Sequence, residues 1–471
     1  MRFDQLGDTW MTMRNSLFSI NSVRLALAAL LSFGAIGIFL AASAFAQTAD
    51  PAAAAASTEL PADGKYVMNT LLFLMAGFLV MWMAAGFAML EAGMVRTKNV
   101  AMQCTKNITL YSIAGLMFWL VGYNLMYPGD GNWILDGYVG TFAPKVVPAT
   151  DADPGDYAAA SDWFFQMVFC ATACSIVSGT LAERIKLWPF LFFCVVLTGI
   201  IYPVQGSWEW GTGWLDRMGF ADFAGSTLVH STGGWAALAG AIILGARIGK
   251  YGPNGEVRPI PGSSMSLATL GTFILWLGWF GFNGGSQLAM GTLADASAVA
   301  RIFVNTNIAA AAGVVVAVIL TQIFYGKVDI TMALNGALAG LVSITAEPLT
   351  PSVPMAIFIG GLGGAIVVLT VPLLDRLRID DVVGAIPVHL FAGIWGTMAV
   401  PLTNPAASFA VQATGVIAIG LFVTLASAFV WLLLAAVLGL RPTPEEEMAG
   451  LDQTEIGIEA YPEFGRGSQI A

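Results

Sequence analysis

The stretches DFAGSTLVH at residues 222–230 and DVVGAIPVH at 381–389 decide how this chain is read. Each runs from an aspartate to a histidine eight residues later, and each opens an apolar segment. His230 and His389 are the only histidines among 471 residues. An ionisable side chain within an apolar span is costly in a bilayer and by default marks a pathway or relay. Imidazole suits that task, because it titrates near neutrality and passes a proton through either ring nitrogen. The plain alternative is a histidine hydrogen-bonded between core helices. For one histidine the two readings weigh about evenly; two at matching places, with none elsewhere, favour function.

Composition widens the argument. The chain is 57% apolar and only 11% charged, with a mean hydropathy of +0.75. A soluble domain carries roughly 25% charged residues, so soluble enzymes, disordered chains and disulfide scaffolds are excluded. This is an all-α integral membrane protein. Its net charge of −10 leaves no basic patch for nucleic acid. Cys104, Cys170, Cys174 and Cys194 lie in or beside apolar stretches, which fits packing better than a disulfide or a metal site. No cofactor or metal is expected.

The chain divides by hydropathy. Arg14 and Arg24 precede an apolar run, and Ala44-Phe45-Ala46 then offers small residues for cleavage before Gln47. Residues 1–46 therefore read as a signal peptide, and 47–65 as an external Ala- and Pro-containing linker. Eleven apolar segments follow, at about 66–93, 107–127, 159–182, 188–204, 224–246, 265–290, 299–325, 331–347, 355–374, 384–401 and 412–440. A span needs about 20 residues, so 331–347 and 384–401 are short. Residues 441–471 form an acidic tail, for which a solvated run of charge is the simplest expectation.

Lysine and arginine set the orientation. With the first span starting outside, the inner loops hold Arg96, Lys98, Lys106, Arg184, Lys186, Arg247, Lys250, Arg258, Lys327, Arg376, Arg378 and Arg441. The outer ones hold only Lys65, Lys145, Arg217 and Arg301. That predicts an outer N-terminus and an inner C-terminus. The Asp222–His230 pair then enters the fifth span from outside and Asp381–His389 the tenth from inside. Matching positions of opposite sense suggest two inverted five-helix repeats, about 66–246 and 265–401, plus a last helix.

Aromatic residues cluster at Trp208, Trp210 and Trp214, at Trp163, Phe164, Phe165 and Phe169, and at Trp276, Trp279, Phe280 and Phe282. Interfacial belts account for most of them, while a tryptophan at a pore mouth attracts a cation. The segments FAMLEAGMVRTKN (87–99), FQMVF (165–169), GTLAERIK (179–186), DFAGSTLVHSTGG (222–234), GWFGFNGGS (278–286) and LRPTPEEEMAGLD (440–452) resemble the signature segments of the ammonium transporter, methylammonium permease and Rhesus family. The resemblance covers about residues 66–460.

What the resemblance implies is an ammonium uptake transporter or channel of a bacterial inner membrane, not an enzyme. It implies a homotrimer with a pore through each subunit. Trp210, Phe169 and Ser286 would recruit ammonium outside, with Asp222 organising that site by capping backbone. Phe169 and Phe282 would gate the pore. His230 and His389 would line it and relay protons, supported by Trp279 and Gln166. The tail would meet neighbouring subunits and a PII-class nitrogen-signalling protein.

Three departures from the family pattern surround His389: Gly384 replaces a common aspartate, Leu390 a usual glycine, and Pro387 should perturb the helix. The nearest rival reading is an electroneutral Rhesus-type channel for ammonia or carbon dioxide. A bis-histidine haem protein and an ammonium sensor are the rivals from other classes.

Overall fold

The computed structural model describes residues 60–129, 131–145 and 155–463. The expected signal peptide (1–46) and the linker residues 47–59 lie outside the described residues. Eleven apolar helices follow in chain order: α1 (Ala62–Met94), α2 (Thr97–Met126), α3 (Ala159–Thr180), α4 (Leu187–Ser207), α5 (Ser226–Leu244), α6 (Met265–Gly285), α7 (Leu293–Tyr325), α8 (Ile330–Thr345), α9 (Val353–Arg376), α10 (Ile386–Leu402) and α11 (Phe409–Val437). Nine of those among the described residues are long enough to cross a bilayer, and α8 and α10 are the two shorter ones. At 1.5 Å per residue the short pair reach only about 25 Å. Both are nearly enclosed by other helices, so neither has to face lipid over a full span.

Helix starts differ from the hydropathy reading. α1 begins at Ala62 rather than 66, which places Lys65 on the helix. α2 begins at Thr97 rather than 107. Its first turns carry Lys98, Gln103 and Lys106, polar residues that hydropathy assigns to a loop. Lys106 is fully buried and belongs to the helix: its Nζ donates to Gln103 Oε1 (3.1 Å) and Ser178 O (2.8 Å). Satisfied internally, it needs no water.

α5 and α10 start with the same device. Asp222 Oδ1 accepts the amides of Gly225 (3.0 Å) and Ser226 (2.8 Å), and Oδ2 those of Thr227 and Leu228 (2.8 Å each). This satisfies the orphan donors of a helix start. Asp381 Oδ2 likewise accepts the Ile386 amide at 2.7 Å. Three residues after each aspartate stands a glycine with positive φ, +104° at Gly225 and +78° at Gly384, conformations that side chains resist. A π turn then carries each histidine, at Ser226–Ser231 and Ile386–Phe391.

This symmetry corrects the expectation about Pro387. The proline stands where Leu228 stands in α5, in the first turn, whose amide has no intrahelical partner anyway. It removes one donor that Asp381 could have capped and leaves the helix path alone. The π turn is not its doing, since α5 has the same turn without a proline. Leu390 is accommodated opposite Gly234, where an added Cβ would lie 2.7 Å from the Leu390 Cβ. Elsewhere α1 and α6 approach just as closely: a Cβ on Gly271 would come within 2.6 Å of Gly86 O. Small residues permit such backbone contact inside a membrane.

As far as residue 463 the tail is not a solvated run of charge, and this too is a correction. After Arg441 it forms α12 (Pro444–Ala449) and α13 (Leu451–Glu455), which lie against the helix ends. Glu447 is buried, paired with Arg441 (2.8 Å) and accepting the Ile248 amide (2.8 Å). Asp452 accepts the amides of Ala101 (3.0 Å) and Met102 (2.8 Å), near the start of α2. Glu455 accepts the Leu187 amide that opens α4 at 2.9 Å. Asp452 and Glu455 thus cap helix N-termini, where the backbone dipole favours negative charge, while Glu447 holds the loop that follows α5.

Candidate functional site

The opening turns of α5 and α10 meet. An added Cβ on Gly393 of α10 would sit 2.5 Å from Ser226 O of α5, so only glycine allows this crossing. It brings His230 and His389 together from 159 residues apart, with their Nδ1 atoms 3.2 Å apart. The rings lie nearly parallel, at 5.2 Å between centroids and 24°. Both are buried, at 0% and 3% exposure.

A row of rings leads away from this pair. Phe282 lies 5.2 Å from His230, and Phe169 stacks on Phe282 at 3.9 Å and 22°. Trp210 meets Phe169 edge-on at 6.1 Å. Trp279 stacks against His230 at 4.9 Å and 18°, fixed by its indole N–H donating to Thr345 Oγ1 (2.8 Å). On the other side, Phe87 of α1 lies 6.2 Å from His389. The sequence Trp210–Phe169–Phe282–His230–His389–Phe87 is thus one continuous file of rings drawn from α1, α3, α5, α6, α10 and the loop before α5.

The supporting residues are placed as follows. Trp210 is half-buried, and its indole N–H donates to the backbone carbonyl of Asp222 (3.0 Å), the residue whose carboxylate caps α5. Burial pushes the Asp222 carboxyl up to about 6, against the four amides that pull it down. Ser286 follows Phe282 by one turn and donates to its carbonyl at 2.8 Å, leaving the hydroxyl lone pairs free to accept. Gln166 is the exception: its amide goes to Asp162 Oδ1 at 3.4 Å, and Asp162 bonds Tyr123. It supports Asp162, the residue that joins α3 to Tyr123 of α2, and makes no ring contact with the file.

The chemistry this permits is specific. Two Nδ1 atoms at 3.2 Å share one hydrogen, so one imidazole carries it and the other offers a lone pair. The ring that donates must then have a bare Nε2, and its partner an Nε2–H. A proton taken up at one end and released at the other swaps the two roles. His230 Nε2 is buried and has no partner among the described residues, leaving it open to a small hydrogen-bonding guest. No group of three or more His, Cys, Asp or Glu among the described residues could hold a metal.

Residues 71–461 match the model of the Ammonium Transporter Family. The chain belongs to the ammonium transporter family. It is therefore a multi-pass membrane transporter and not an enzyme. The transporter is 42% identical over 437 residues to ammonium transporter Amt2 of Archaeoglobus fulgidus, covering 86% of this chain and 89% of that one. It is 34% identical over 420 residues to an ammonium transporter of Bacillus subtilis, covering 83% and 98%. Among solved structures, a sensor Amt protein superposes with a TM-score of 0.77 at 35% identity, covering 83% and 98%. Mep2 of Candida albicans gives 0.73 at 25%, covering 82% and 89%.

Two neighbours of the file escaped the sequence reading. Phe87 opens the segment FAMLEAGMVRTKN, where nothing in the sequence marks its ring as a neighbour of His389. Glu91, one turn further along α1, is fully enclosed. The rule that singled out the histidines, an ionisable side chain within an apolar span, applies to Glu91 equally.

Proposed function

We propose that the transporter recruits ammonium at Trp210, Phe169 and Ser286, strips a proton from it, and conducts ammonia past Phe169 and Phe282 to the histidine pair. Carrying the ion itself through the ring file is unfavourable. Moving a small cation into a low-dielectric passage costs of order tens of kcal/mol by Born estimates, and each cation–π contact returns about 0.5–2 kcal/mol. Deprotonation is cheaper: for an amine-like pKa near 10 it costs about 4 kcal/mol at pH 7. Asp222 positions Trp210 and the start of α5 without touching substrate. Trp279 holds the His230 ring in place.

The observation that carries this reading is the buried Nδ1–Nδ1 contact of His230 and His389 at 3.2 Å, within the ring file. A shared hydrogen there lets the pair hydrogen-bond ammonia and relay the proton that ammonium has lost. Transport is then electrogenic, one positive charge per ammonia. Ammonium jumps on proteoliposomes fused to a solid-supported membrane test this. A sustained inward current is expected, and ammonia flux without current would instead mean the electroneutral Rhesus-type channel.

The wider assignments belong to the same proposal. Residues 66–246 and 265–401 form inverted repeats, with 412–440 as the last helix. The N-terminus is periplasmic and the tail cytoplasmic, in a bacterial inner membrane, after removal of a signal peptide before Gln47. The matching Asp–Gly–π-turn devices of α5 and α10 support the repeats, and the lysine and arginine distribution supports the orientation. Three subunits associate, each with its own pore, and a PII-class protein docks at the cytoplasmic face. Light scattering in detergent tests the trimer; capture of that protein with and without residues 441–471 tests the docking.

A further inference from the structure

The ring file does not end at Phe87. Phe87 and Glu91 are four residues apart on α1 and so share a face, one turn apart. With Phe87 against His389, Glu91 stands about one turn beyond the histidine pair, on the side away from Phe169. Both Glu91 and His389 line a narrow cavity, together with Ser175, Asn335 and Val388. Its volume of about 10 Å³ admits about one molecule the size of water or ammonia.

The two carboxylate oxygens of Glu91 have different surroundings. Oε2 accepts all three donors: Gln103 Nε2 (2.6 Å), Asn107 Nδ2 (3.0 Å) and Ser178 Oγ (2.7 Å). Oε1 is buried and has no partner among the described residues. A carboxylate kept only to tie α1 to α2 and α3 gains nothing from burying an unpartnered oxygen, which is costly. Lys106 stands behind the group, bonded to Gln103 and Ser178, and its charge balances a carboxylate there.

We propose that Glu91 is the inner ammonium site of the transporter, where ammonia leaving His389 regains its proton. This rests on the proton-relay reading above. The balance is simple. The proton lost by ammonium at the outer mouth passes through the two imidazoles to Oε1, forming the carboxylic acid. Ammonia in the cavity takes that proton on its lone pair: an N–H bond forms, the O–H bond breaks, and the carboxylate is left holding ammonium as an ion pair. Departure of ammonium resets the site.

The test is Glu91→Gln in proteoliposomes, read by ammonium-jump currents beside the wild type. The amide keeps an oxygen for the Oε2 donors and cannot accept the relayed proton. A fall in current of at least tenfold is expected, with the size-exclusion profile and melting temperature of the wild type retained. A folded variant whose current stays within twofold overturns the assignment. Should the single variant fail to fold, the paired change Glu91→Gln with Lys106→Met removes both buried charges together. The same tenfold loss is expected of it, and wild-type current in that folded protein overturns the assignment. Absence of current from the wild type itself overturns the relay reading and Glu91's role with it, whereas current shared by wild type and variant overturns only the role of Glu91.

Discussion

Replacing Gly384 by alanine tests whether the turn before His389 requires the backbone it has. Gly384 has φ +78°, and an added Cβ would lie 2.5 Å from Asn335 Nδ2. The left-handed conformation costs an alanine about 1–2 kcal/mol, and forcing a methyl into a filled site adds about 1–3 kcal/mol. The variant should therefore lose about 2–5 kcal/mol. Asn335 donates to Val383 O at 3.0 Å, so Asn335→Ala alone costs about 0.5–1.5 kcal/mol for that bond. In the double variant the clash disappears and only the strain and the lost bond remain. The two changes should thus cost about 1–3 kcal/mol less together than their sum, a coupling expected of touching residues. Unfolding by sodium dodecyl sulfate titration in mixed micelles measures all three. A Gly384→Ala protein within 0.5 kcal/mol of the wild type, or strictly additive costs, would refute the argument.

Asp222→Ala takes the acceptor from four helix-start amides; a buried donor left unsatisfied costs about 1–3 kcal/mol, so a loss of at least about 3 kcal/mol is expected in the same titration. Disruption of the ammonium current should accompany it. Burial by itself would raise the Asp380 carboxyl, but Arg247, bonded to it at 2.8 and 2.9 Å, and the nearby Arg184 guanidinium together hold it well below the usual range. A carboxyl lowered in the fold stabilises it above the unfolded value of about 4 and loses that contribution as the pH falls below it. The change in melting temperature from pH 5 to pH 3 should therefore be more unfavourable in the wild type than in Asp380→Asn, and equal changes would show that the Arg247–Asp380 pair contributes nothing there. Asp452→Asn should speed hydrogen exchange at the amides of Ala101 and Met102 by at least tenfold while leaving those of Phe282 and Asn283 unchanged; equal protection would show that the tail does not hold α2.

Much of the helix plan was legible because apolar runs of helical length announce themselves, and even the short α8 and α10 stood out by length. What hydropathy could not see was polar sequence that is satisfied internally. Lys106 and Gln103 read as loop because their partners, Ser178 and Glu91, come from other segments. Likewise Glu447 and Asp452 read as solvated charge because the amides they cap lie about 200 and 350 residues away. The equal spacing of Asp222–His230 and Asp381–His389 was visible in the sequence, whereas the glycine conformations that give the spacing its meaning were not. Pro387 looked disruptive only until the first-turn position it occupies was known.

The claim on which the rest depends is that His230 and His389 pass a proton while ammonia crosses a passage closed to ions. It is tested most directly by currents from the wild type and the His230→Ala/His389→Ala variant in solid-supported membranes, driven by ammonium and then by potassium. The account predicts a wild-type response to ammonium and none to potassium, and a double variant in which that current or that discrimination is lost. A double variant with unchanged current and unchanged selectivity would contradict it.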